Sequence, residues 1–236
     1  VCTDPSSCEK TLFGRLFSGA VGLDSYSRCR DVNSEIFGKG NYTGKGIYRV
    51  KEFDAAVGNA FRDGRILSHD FIEGAYSGAR NCDETALDST PTTFVGWLKR
   101  RLRWIRGDCQ LLPWLCMFVQ SGNGKLRKNP ISPVDKWHIF FGLAYPLAEV
   151  CSLAFIIFAA VVGDYTLLLF AFLPPLARLS TGLPALICDP KSFLKSVACE
   201  AFFTCVLPVI SLSSLVAIAI TMFRLIIKRG LLEWSV

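Results

Sequence analysis

The sequence predicts an α/β segment followed by membrane α-helices, and three observations support this fold class. All but six of the 26 Lys and Arg residues precede Trp137. Long apolar runs dominate the residues after it, in a chain that is 51% hydrophobic. Before it, short apolar runs alternate with glycine-rich, polar and amphipathic stretches, as strands, loops and helices do. With a net charge of +6, this asymmetry favours a polar domain on one side of a bilayer over one soluble globule.

The first part of the chain predicts short strands and helices joined by loops. Residues 37–48 are rich in glycine, lysine and aromatics, and they predict a loop because glycine permits close backbone approach and positive φ. Residues 81–93 are polar and predict a second loop. The expected strands are Ile47–Val50 and Arg65–Ser68, and the expected helices are Lys51–Phe61 and Asp70–Tyr76.

The segment from Phe94 to about Met117 has the clearest helical periodicity. Apolar residues recur at steps of three and four, and a polar stripe lies beside them. The apolar positions are Leu98, Leu102, Ile105, Cys109, Leu112 and Cys116, and the stripe is Lys99, Arg103, Arg106 and Gln110. Pro113 is expected to kink this helix or to mark its passage into a second piece along the membrane surface, and Ser121–Pro133 predicts a basic linker.

Three apolar segments follow, each a candidate for crossing a membrane: Ile139–Val162, Tyr165–Leu179 and Ala201–Ile227. The first contains one acid, Glu149, and is long enough to cross a hydrocarbon core of about 30 Å. Prolines interrupt the second and third. Basic residues cluster at 125–136, 178–195 and 224–229, and alternate crossings cannot leave all three clusters on one side, so a re-entrant segment and a last span made of two short passes both stay open. We expect about three crossings, within a range of two to four.

Asp70 is the first candidate for chemistry. An acid at the end of a strand, on the rim of an α/β sheet, can act as the base that inverting sugar transfer requires. The alternative is a helix cap, because Asp70 and Glu73 have the spacing of a capping box. His69 is expected to support the loop by hydrogen bonding, and Glu73 to act as a cap rather than as a second acid.

Residues 100–110 concentrate arginine and tryptophan on one helix. Guanidinium groups bind phosphate oxygens bidentately and keep their charge, and an indole face is suited to stacking on a sugar ring. Arg103 and Trp104 point about 100° apart, so one can hold a diphosphate while the other holds a sugar. Arg100 lies one turn before Trp104. The alternative is a basic amphipathic helix that binds anionic lipid.

The loop around Lys45 lacks the nucleotide P-loop pattern, because Gly44-Lys45 is followed by glycine and isoleucine. It predicts either a mobile cover over a substrate or a plain connecting turn. The ten cysteines are scattered without C-x-x-C spacing. Reduced packing thiols are therefore favoured over disulfides or a zinc site, and we assign no metal ligands.

Taken together, these motifs resemble the glycosyltransferase domain of cyclic β-1,2-glucan synthases, which belong with the processive family-2-like, cellulose-synthase-like transferases. The resemblance rests on S-H-D-x-x-E-G at 68–74, R-W-x-R-G-D-x-Q at 103–110 and the membrane segments that follow. It extends to F-G-K-G at 37–40, G-K-G-I-Y at 44–48, P-V-D-K-W at 133–137 and L-L-E-W at 231–234. The motifs cover most of residues 11–137 and are specific as a set, whereas the membrane segments are generic.

The resemblance implies an inverting transfer of glucose from UDP-glucose to a growing β-1,2-glucan. It implies that Asp70 is the catalytic base, and that Arg103 and Trp104 bind the diphosphate and the acceptor sugar. The other residues assigned to the site are Arg100 and Arg106 for binding, with His69, Glu73 and Lys45 in support. Arg100 stands where the wider superfamily has the glutamine of Q-x-x-R-W, so the hydrogen bond of that amide has no counterpart here.

The resemblance also implies a domain organisation. It predicts the C-terminal half of a GT-A-like domain at 1–93 and an interfacial Arg/Trp helix with a basic linker at 94–137. A transmembrane region at 138–230 and the start of a following segment at 231–236 complete the chain. The sequence has no D-x-D metal motif. We therefore expect the half that binds the nucleotide and Mg²⁺ or Mn²⁺ to lie upstream of Val1, and the isolated fragment to be inactive.

The expected location is the bacterial inner membrane, with several crossings and the catalytic part in the cytoplasm, and with no nucleic-acid partner. Two alternatives stay open. One is another family-2 polysaccharide synthase with a different sugar or linkage. The other is a non-catalytic membrane scaffold whose basic helix only binds lipid.

Overall fold

The computed structural model describes residues 2–21, 32–40, 42–62, 64–67, 70–80, 82, 84, 86–180, 183 and 189–232. Within these ranges the chain is mostly helical, and its strands form two ribbons of two strands each. The predicted α/β segment therefore contains far less sheet, among the described residues, than its apolar runs suggest.

The first ribbon joins the start of the chain to the polar loop that precedes the long helix. β1 (Cys2–Thr3) pairs in parallel with β2 (Leu87–Asp88), so part of the predicted loop at 81–93 is a strand. The helices of this part are α1 (Pro5–Cys8), α2 (Leu12–Val21), α3 (Val32–Phe37), α4 (Val50–Val57) and α5 (Asp70–Ser77). The helix predicted from Asp70 is confirmed, and the one predicted from Lys51 is present but ends at Val57, before Gly58.

The two predicted strands are wrong. Val50 is already the first residue of α4, and residues 47–49 before it are irregular. Residues 65–67 are also irregular, although Ile66 is only 3% exposed. Ile66 packs in a core with Ile72, Trp114 and Ile139, which belong to helical segments. The apolar run thus indicates burial correctly, but its partners are helices rather than neighbouring strands.

The Arg/Trp helix is shorter than predicted. α6 spans Phe94–Gln110, and the Thr93 hydroxyl caps it by accepting a hydrogen bond from the Gly96 N–H. Pro113 lies within a 3₁₀ turn, Leu112–Leu115, which ends the α-helical run as a proline does when it removes a backbone donor. The predicted basic linker is largely a hairpin, in which β3 (Phe118–Gln120) pairs antiparallel with β4 (Leu126–Lys128).

The first long apolar helix begins earlier than predicted. α7 spans Pro133–Val162, because Ser132 and Asp135 form a reciprocal capping box and proline occupies the first turn. It ends at Gly163, which adopts the left-handed conformation with φ 75°. The following helices are α8 (Tyr165–Ala171), α9 (Leu173–Ser180), α10 (Pro190–Cys205) and α11 (Leu207–Ile227).

By length and composition, two helices of the described chain could cross a membrane, α7 and α11. The predicted second segment is divided at Phe172 into α8 and α9, and neither piece reaches that length. The predicted third segment is divided at Val206, just before Pro208, so that its first part belongs to α10. The structure thus interrupts the third predicted segment, while its second part, α11, is by itself long enough to cross.

α6 packs lengthwise against both long helices, which also pack against each other. Ile105 and Cys109 of α6 form a buried cluster with Ala217 of α11, and Leu143 of α7 packs against it. A second contact joins the start of α6 to α2 and α10 through the rings of Phe13, Phe17, Phe94, Trp97, Phe202 and Phe203. The expected interfacial helix is therefore an integral part of a helical assembly.

Candidate functional site

Asp70 is the first residue of α5, and its side chain is half-buried. The glycine–lysine loop lies beside this carboxylate. A Cβ built on Gly44 would lie 3.0 Å from the Asp70 Oδ2 atom, so the loop backbone contacts the carboxylate directly. Gly44 has φ +79°, which glycine adopts without strain. His69 lies outside the described residues.

Tyr42 fixes the same loop against α5. A Cβ on Gly74 would lie 2.5 Å from the Tyr42 Cβ, so the tyrosine occupies the space that a side chain at 74 would need. Burial raises the pKa of Tyr42, and the charges of Glu73 and Asp70 and the neighbouring Tyr48 add to this shift. The loop predicted as either a cover or a connecting turn thus lies over the acid.

Lys45 connects the loop to the polar segment before α6. Its Nζ atom is 2.6 Å from the Asp88 Oδ2 atom. The hydrogen bond from Lys45 is the largest of the effects that lower the pKa of Asp88, and the more distant charge of Arg100 acts in the same direction. Lys45 therefore links the loop over Asp70 to the Arg/Trp helix through one shared carboxylate.

The exposed side of α6 carries Arg100, Arg103 and Trp104. The Arg100 guanidinium carbon lies 4.8 Å from the centre of the Trp104 ring, a cation–π geometry that aligns the indole. Burial lowers the pKa of Arg100, and the charge of Arg103 lowers it further. Trp104 remains 41% exposed. A large aromatic face beside two guanidinium groups is suited to a sugar carrying phosphate.

Arg106 differs from these neighbours. Its side chain is 1% exposed and interacts with other groups of the protein. The predicted binding residue Arg106 therefore offers no open surface to a ligand. The sequence places Arg106 on the same polar stripe as Arg103. Periodicity alone cannot show that other segments cover the part of the stripe that carries Arg106.

Gln110 has the wrong spacing to replace the missing glutamine, but it has a distinct position in the structure. Its Oε1 atom accepts a hydrogen bond from the Leu67 N–H at 2.5 Å, three residues before Asp70. Its Nε2 atom donates to the Leu231 carbonyl at 2.9 Å. The buried amide therefore fixes the segment that leads into Asp70 against α6 and against the end of α11.

The other face of α6 carries an ion pair that the sequence did not predict. Arg101 NH2 lies 2.5 Å from the Glu149 Oε2 atom of α7, and NH1 donates to the Ser214 hydroxyl of α11 at 3.1 Å. The Ser211 hydroxyl donates to the Glu149 carbonyl oxygen at 2.9 Å. The available signal was Glu149, because a lone acid in a membrane-length apolar segment calls for a partner.

A small pocket lies on the far side of Tyr42. Its lining includes Lys39, Tyr42, Phe71, Gly74, Asp135 and His138. Lys39 Nζ lies 2.5 Å from the Asp135 Oδ2 atom and also donates to the Ser132 hydroxyl, so the rim of the pocket is tied to the first turn of α7. The described residues contain no group of three His, Cys, Asp or Glu side chains that could hold a metal ion.

Four of the eight predicted site residues, Asp70, Lys45, Arg100 and Trp104, thus belong to one series of interactions. It runs from Asp70 through the Gly44-Lys45 backbone and Asp88 to Arg100 and Trp104. This arrangement defines a helical protein that is rich in apolar residues. One loop of this protein lies between a carboxylate and a surface formed by arginine and tryptophan.

Comparison with known proteins shows that part of this chain is similar in sequence to a curated protein. The chain is 34% identical over 159 residues to the cyclic beta-(1,2)-glucan synthase NdvB of Rhizobium meliloti (strain 1021). The matched segment is 66% of this chain but only 5% of that protein, so the chain corresponds to a small part of it. No family model and no solved structure matches the chain. The similarity relates the chain to a glucan synthase.

Proposed function

We propose that this chain is part of a membrane glycosyltransferase that elongates a β-1,2-glucan. Two things support the proposal: the similarity to a protein named as a glucan synthase, and the site's construction. The observation that carries it is the Gly44-Lys45 loop, which contacts the Asp70 carboxylate on one side and leads through Asp88 to Arg100 and Trp104 on the other.

In the proposed reaction, glucose passes from UDP-glucose to the 2-hydroxyl of the growing glucan. Asp70 accepts the hydroxyl proton while the acceptor oxygen attacks the anomeric carbon and the bond to UDP breaks, which inverts the configuration. Arg103 and Arg100 stabilise the charge that develops on the departing diphosphate, since preorganised cations are most effective where water is scarce. Arg106 adds its charge from a buried position. Trp104 stacks on the acceptor sugar.

Lys45 and Glu73 complete the proposed site. Lys45 holds the loop by its bond to Asp88, and Glu73 lies one turn beyond the base, near Tyr42. We assign residues 1–93 to the C-terminal half of a GT-A-like domain, and the nucleotide-binding half to a part of the complete protein outside this chain. The described residues do not offer a ligand set for Mg²⁺ or Mn²⁺, so we derive no step through a metal.

The proposed location is the bacterial inner membrane, with the site on the cytoplasmic side. α7 and α11 would cross the bilayer. Both are long and apolar, and other parts of the described chain leave most of their surface uncovered. The ion pair between Arg101 and Glu149 would then hold α6, and with it Trp104, at a fixed height beside α7.

The first test removes the proposed base in the complete protein. Asp70→Asn keeps the shape of the side chain but cannot accept the proton, so we expect the rate of glucan elongation to fall roughly 10²- to 10⁴-fold. Glu73→Gln is the matched control on the same helix and should cost less than about tenfold. Elongation at the normal rate by the Asp70 variant contradicts the proposal. Linkage analysis of the product separates β-1,2-glucan from other polymers.

A second pair of variants tests the contact between the loop and the base. Gly44 and Gly38 both have positive φ, so an alanine strains the backbone at either position, but only the Gly44 methyl group would meet Asp70. We expect Gly44→Ala to lower the rate at least tenfold more than Gly38→Ala. Equal losses in the two variants would assign the effect to backbone strain alone.

A further inference from the structure

The β3–β4 hairpin presents an apolar surface flanked by lysines. Antiparallel pairing sets Phe118 opposite Lys128 and Gln120 opposite Leu126, so these residues share one face of the ribbon. On this face Phe118 is 55% exposed and Leu126 is 69% exposed, and Met117 beside them is 72% exposed. Met117 and Lys125 are exposed just outside the paired residues, at the ends of the two strands, and we name Met117, Phe118, Lys125, Leu126 and Lys128 together the hairpin face.

The opposite side of the hairpin is committed to the interior. Val119 is 3% exposed and belongs to the core around Trp114. Arg127 donates a hydrogen bond to the Ala60 carbonyl at 3.2 Å and lies over the Tyr76 ring at 5.2 Å. A Cβ on Gly122, at the turn, would lie 2.6 Å from the Asn59 Oδ1 atom, so the turn is tightly packed as well. The hairpin is therefore a fixed projection whose apolar residues cannot turn inward.

The base of the hairpin is attached to the start of α7. Lys136 donates to the Cys116 carbonyl at 3.0 Å, and the Asn129 Nδ2 atom donates to the Trp114 and Cys116 carbonyls at 2.6 and 2.9 Å. The Lys136 bond holds the residue before Met117 beside the first turn of α7, and the Asn129 bonds tie the two ends of the hairpin together. The position of that turn in a membrane therefore fixes the position of the hairpin face.

The length of α7 gives this position. Its 30 residues span about 45 Å at 1.5 Å per residue, whereas the hydrocarbon core is about 30 Å thick. If Val162 lies at the far edge of the hydrocarbon core, roughly the first ten residues of α7 extend beyond the near edge of that core. Trp137, Phe140 and Phe141 lie there, each at least 50% exposed, with the Trp137 and Phe141 ring centres 4.6 Å apart. Such an aromatic band is typical of the headgroup layer.

We propose that the hairpin face docks into the headgroup layer of an anionic leaflet. Phe118, Leu126 and Met117 enter the boundary of the acyl chains, while Lys125 and Lys128 contact lipid phosphates. Apolar side chains flanked by lysines, beside the aromatic end of a spanning helix, match this surface in polarity, charge and height. The inference rests on the proposed membrane crossing of α7 and adds a second membrane contact to it.

Photo-crosslinking of the complete protein in phosphatidylglycerol–phosphatidylcholine proteoliposomes tests the proposal. Benzoylphenylalanine replaces Phe118 or Leu126, and the adducts are identified by mass spectrometry. Phe158, which is 56% exposed on α7, is the positive control, and Ile47, which is 83% exposed on the glycine–lysine loop, is the negative control. We expect lipid adducts at positions 118, 126 and 158 and none at position 47.

Each outcome decides between the two proposals. Lipid adducts at position 158, with only protein adducts or none at 118 and 126, would overturn the docking of the hairpin face and leave the crossing of α7 intact. The absence of lipid adducts at position 158 would remove the membrane crossing itself. Protein adducts at 118 would identify a neighbouring segment as the true occupant of the hairpin face.

The charge requirement is tested with the lysines. Lys125→Gln combined with Lys128→Gln should lower the ratio of phosphatidylglycerol to phosphatidylcholine adducts at position 118 by roughly tenfold, since each lysine near an anionic surface contributes to binding. Lys51→Gln removes one exposed charge from α4 and should leave the ratio unchanged. A ratio that is the same in all variants would show that the contact is purely apolar and overturn the assigned selectivity.

Discussion

Arg100 and Arg101 are adjacent on α6, yet they lie in different environments. Arg100 faces the loop over Asp70, where its guanidinium lies against the Trp104 ring and within the field of Asp88. Arg101 faces the two long helices, where it pairs with Glu149 and Ser214. One step of about 100° around the helix thus separates a side chain of the candidate site from one that joins three helices.

The difference shows how a single helix serves both packing and chemistry. The face with Arg101, Ile105 and Cys109 is buried against α7 and α11. The face with Arg100 and Trp104 borders the loop and keeps the indole partly exposed. Because both faces belong to one rigid element, the packing face determines where the other face stands relative to Asp70.

The largest effect is expected when Arg101 and Arg100 are replaced one at a time and their losses of stability are compared. Arg101→Met leaves Glu149 as a poorly solvated charge without its partner and should lower the free energy of unfolding by about 3–5 kcal/mol. Arg100→Met removes mainly a cation–π contact and should cost about 1 kcal/mol. Thermal unfolding of the detergent-solubilised protein measures both. Equal losses would mean that the ion pair has no special part in the assembly.

A pH-dependent effect is expected at Asp108, on the packing face beside Gly142 of α7. Burial raises the pKa of Asp108 to about 7, from an ordinary value of 3.8. The folded state therefore binds this proton more tightly than the unfolded chain. The stability should fall as the pH rises from about 4 to about 7 and then become constant.

Asp108→Asn removes this dependence. At pH 8 the variant should be more stable than the wild type by at most about 4 kcal/mol, which is the free energy that corresponds to the shift. The difference should close near pH 4. Glu52→Gln, at an exposed position of α4, is the control and should leave the pH profile unchanged. A pH profile of the Asp108→Asn variant that parallels the wild type would contradict the buried environment of this acid.

A smaller effect is expected at Gln110, whose side chain links the segment before Asp70 to the segment that follows α11. Gln110→Leu leaves the Leu67 N–H and the Leu231 carbonyl without their partner, so we expect a loss of about 2–3 kcal/mol. Because Leu67 precedes Asp70 by three residues, the variant should also lower the rate of the proposed transfer without changing the KM for the proposed donor, UDP-glucose. Gln120→Leu, on the exposed face of β3, is the matched control. Unchanged rates in the Gln110 variant would separate this amide from the site.

Helix positions in this protein can be predicted where the sequence carries a local signal. The start of α6 after Thr93 and the end of α7 at Gly163 follow from a capping residue and a glycine. Hydropathy places the start of α7 too late, because Asp135 and Trp137 interrupt the apolar pattern although Ser132 and Pro133 signal a helix. Local signals thus define elements better than hydropathy does.

The contacts between distant segments cannot be derived from spacing. Arg101 and Glu149 are separated by 48 residues, and they meet only because α6 and α7 run antiparallel, with Asp108 beside Gly142 seven residues further along. The same holds for Gln110 and Leu67. For the site, the residue types at Asp70, Arg103 and Trp104 are enough to indicate chemistry, whereas the role of the loop requires the three-dimensional arrangement.

The close approach of Tyr42 to Gly74 has a consequence for how this sequence can change over time. A methyl group at position 74 would occupy the place of the Tyr42 Cβ, 2.5 Å away. The two positions should therefore covary: lineages that retain a side chain at 42 retain glycine at 74, and an alanine at 74 becomes tolerable only together with a glycine at 42.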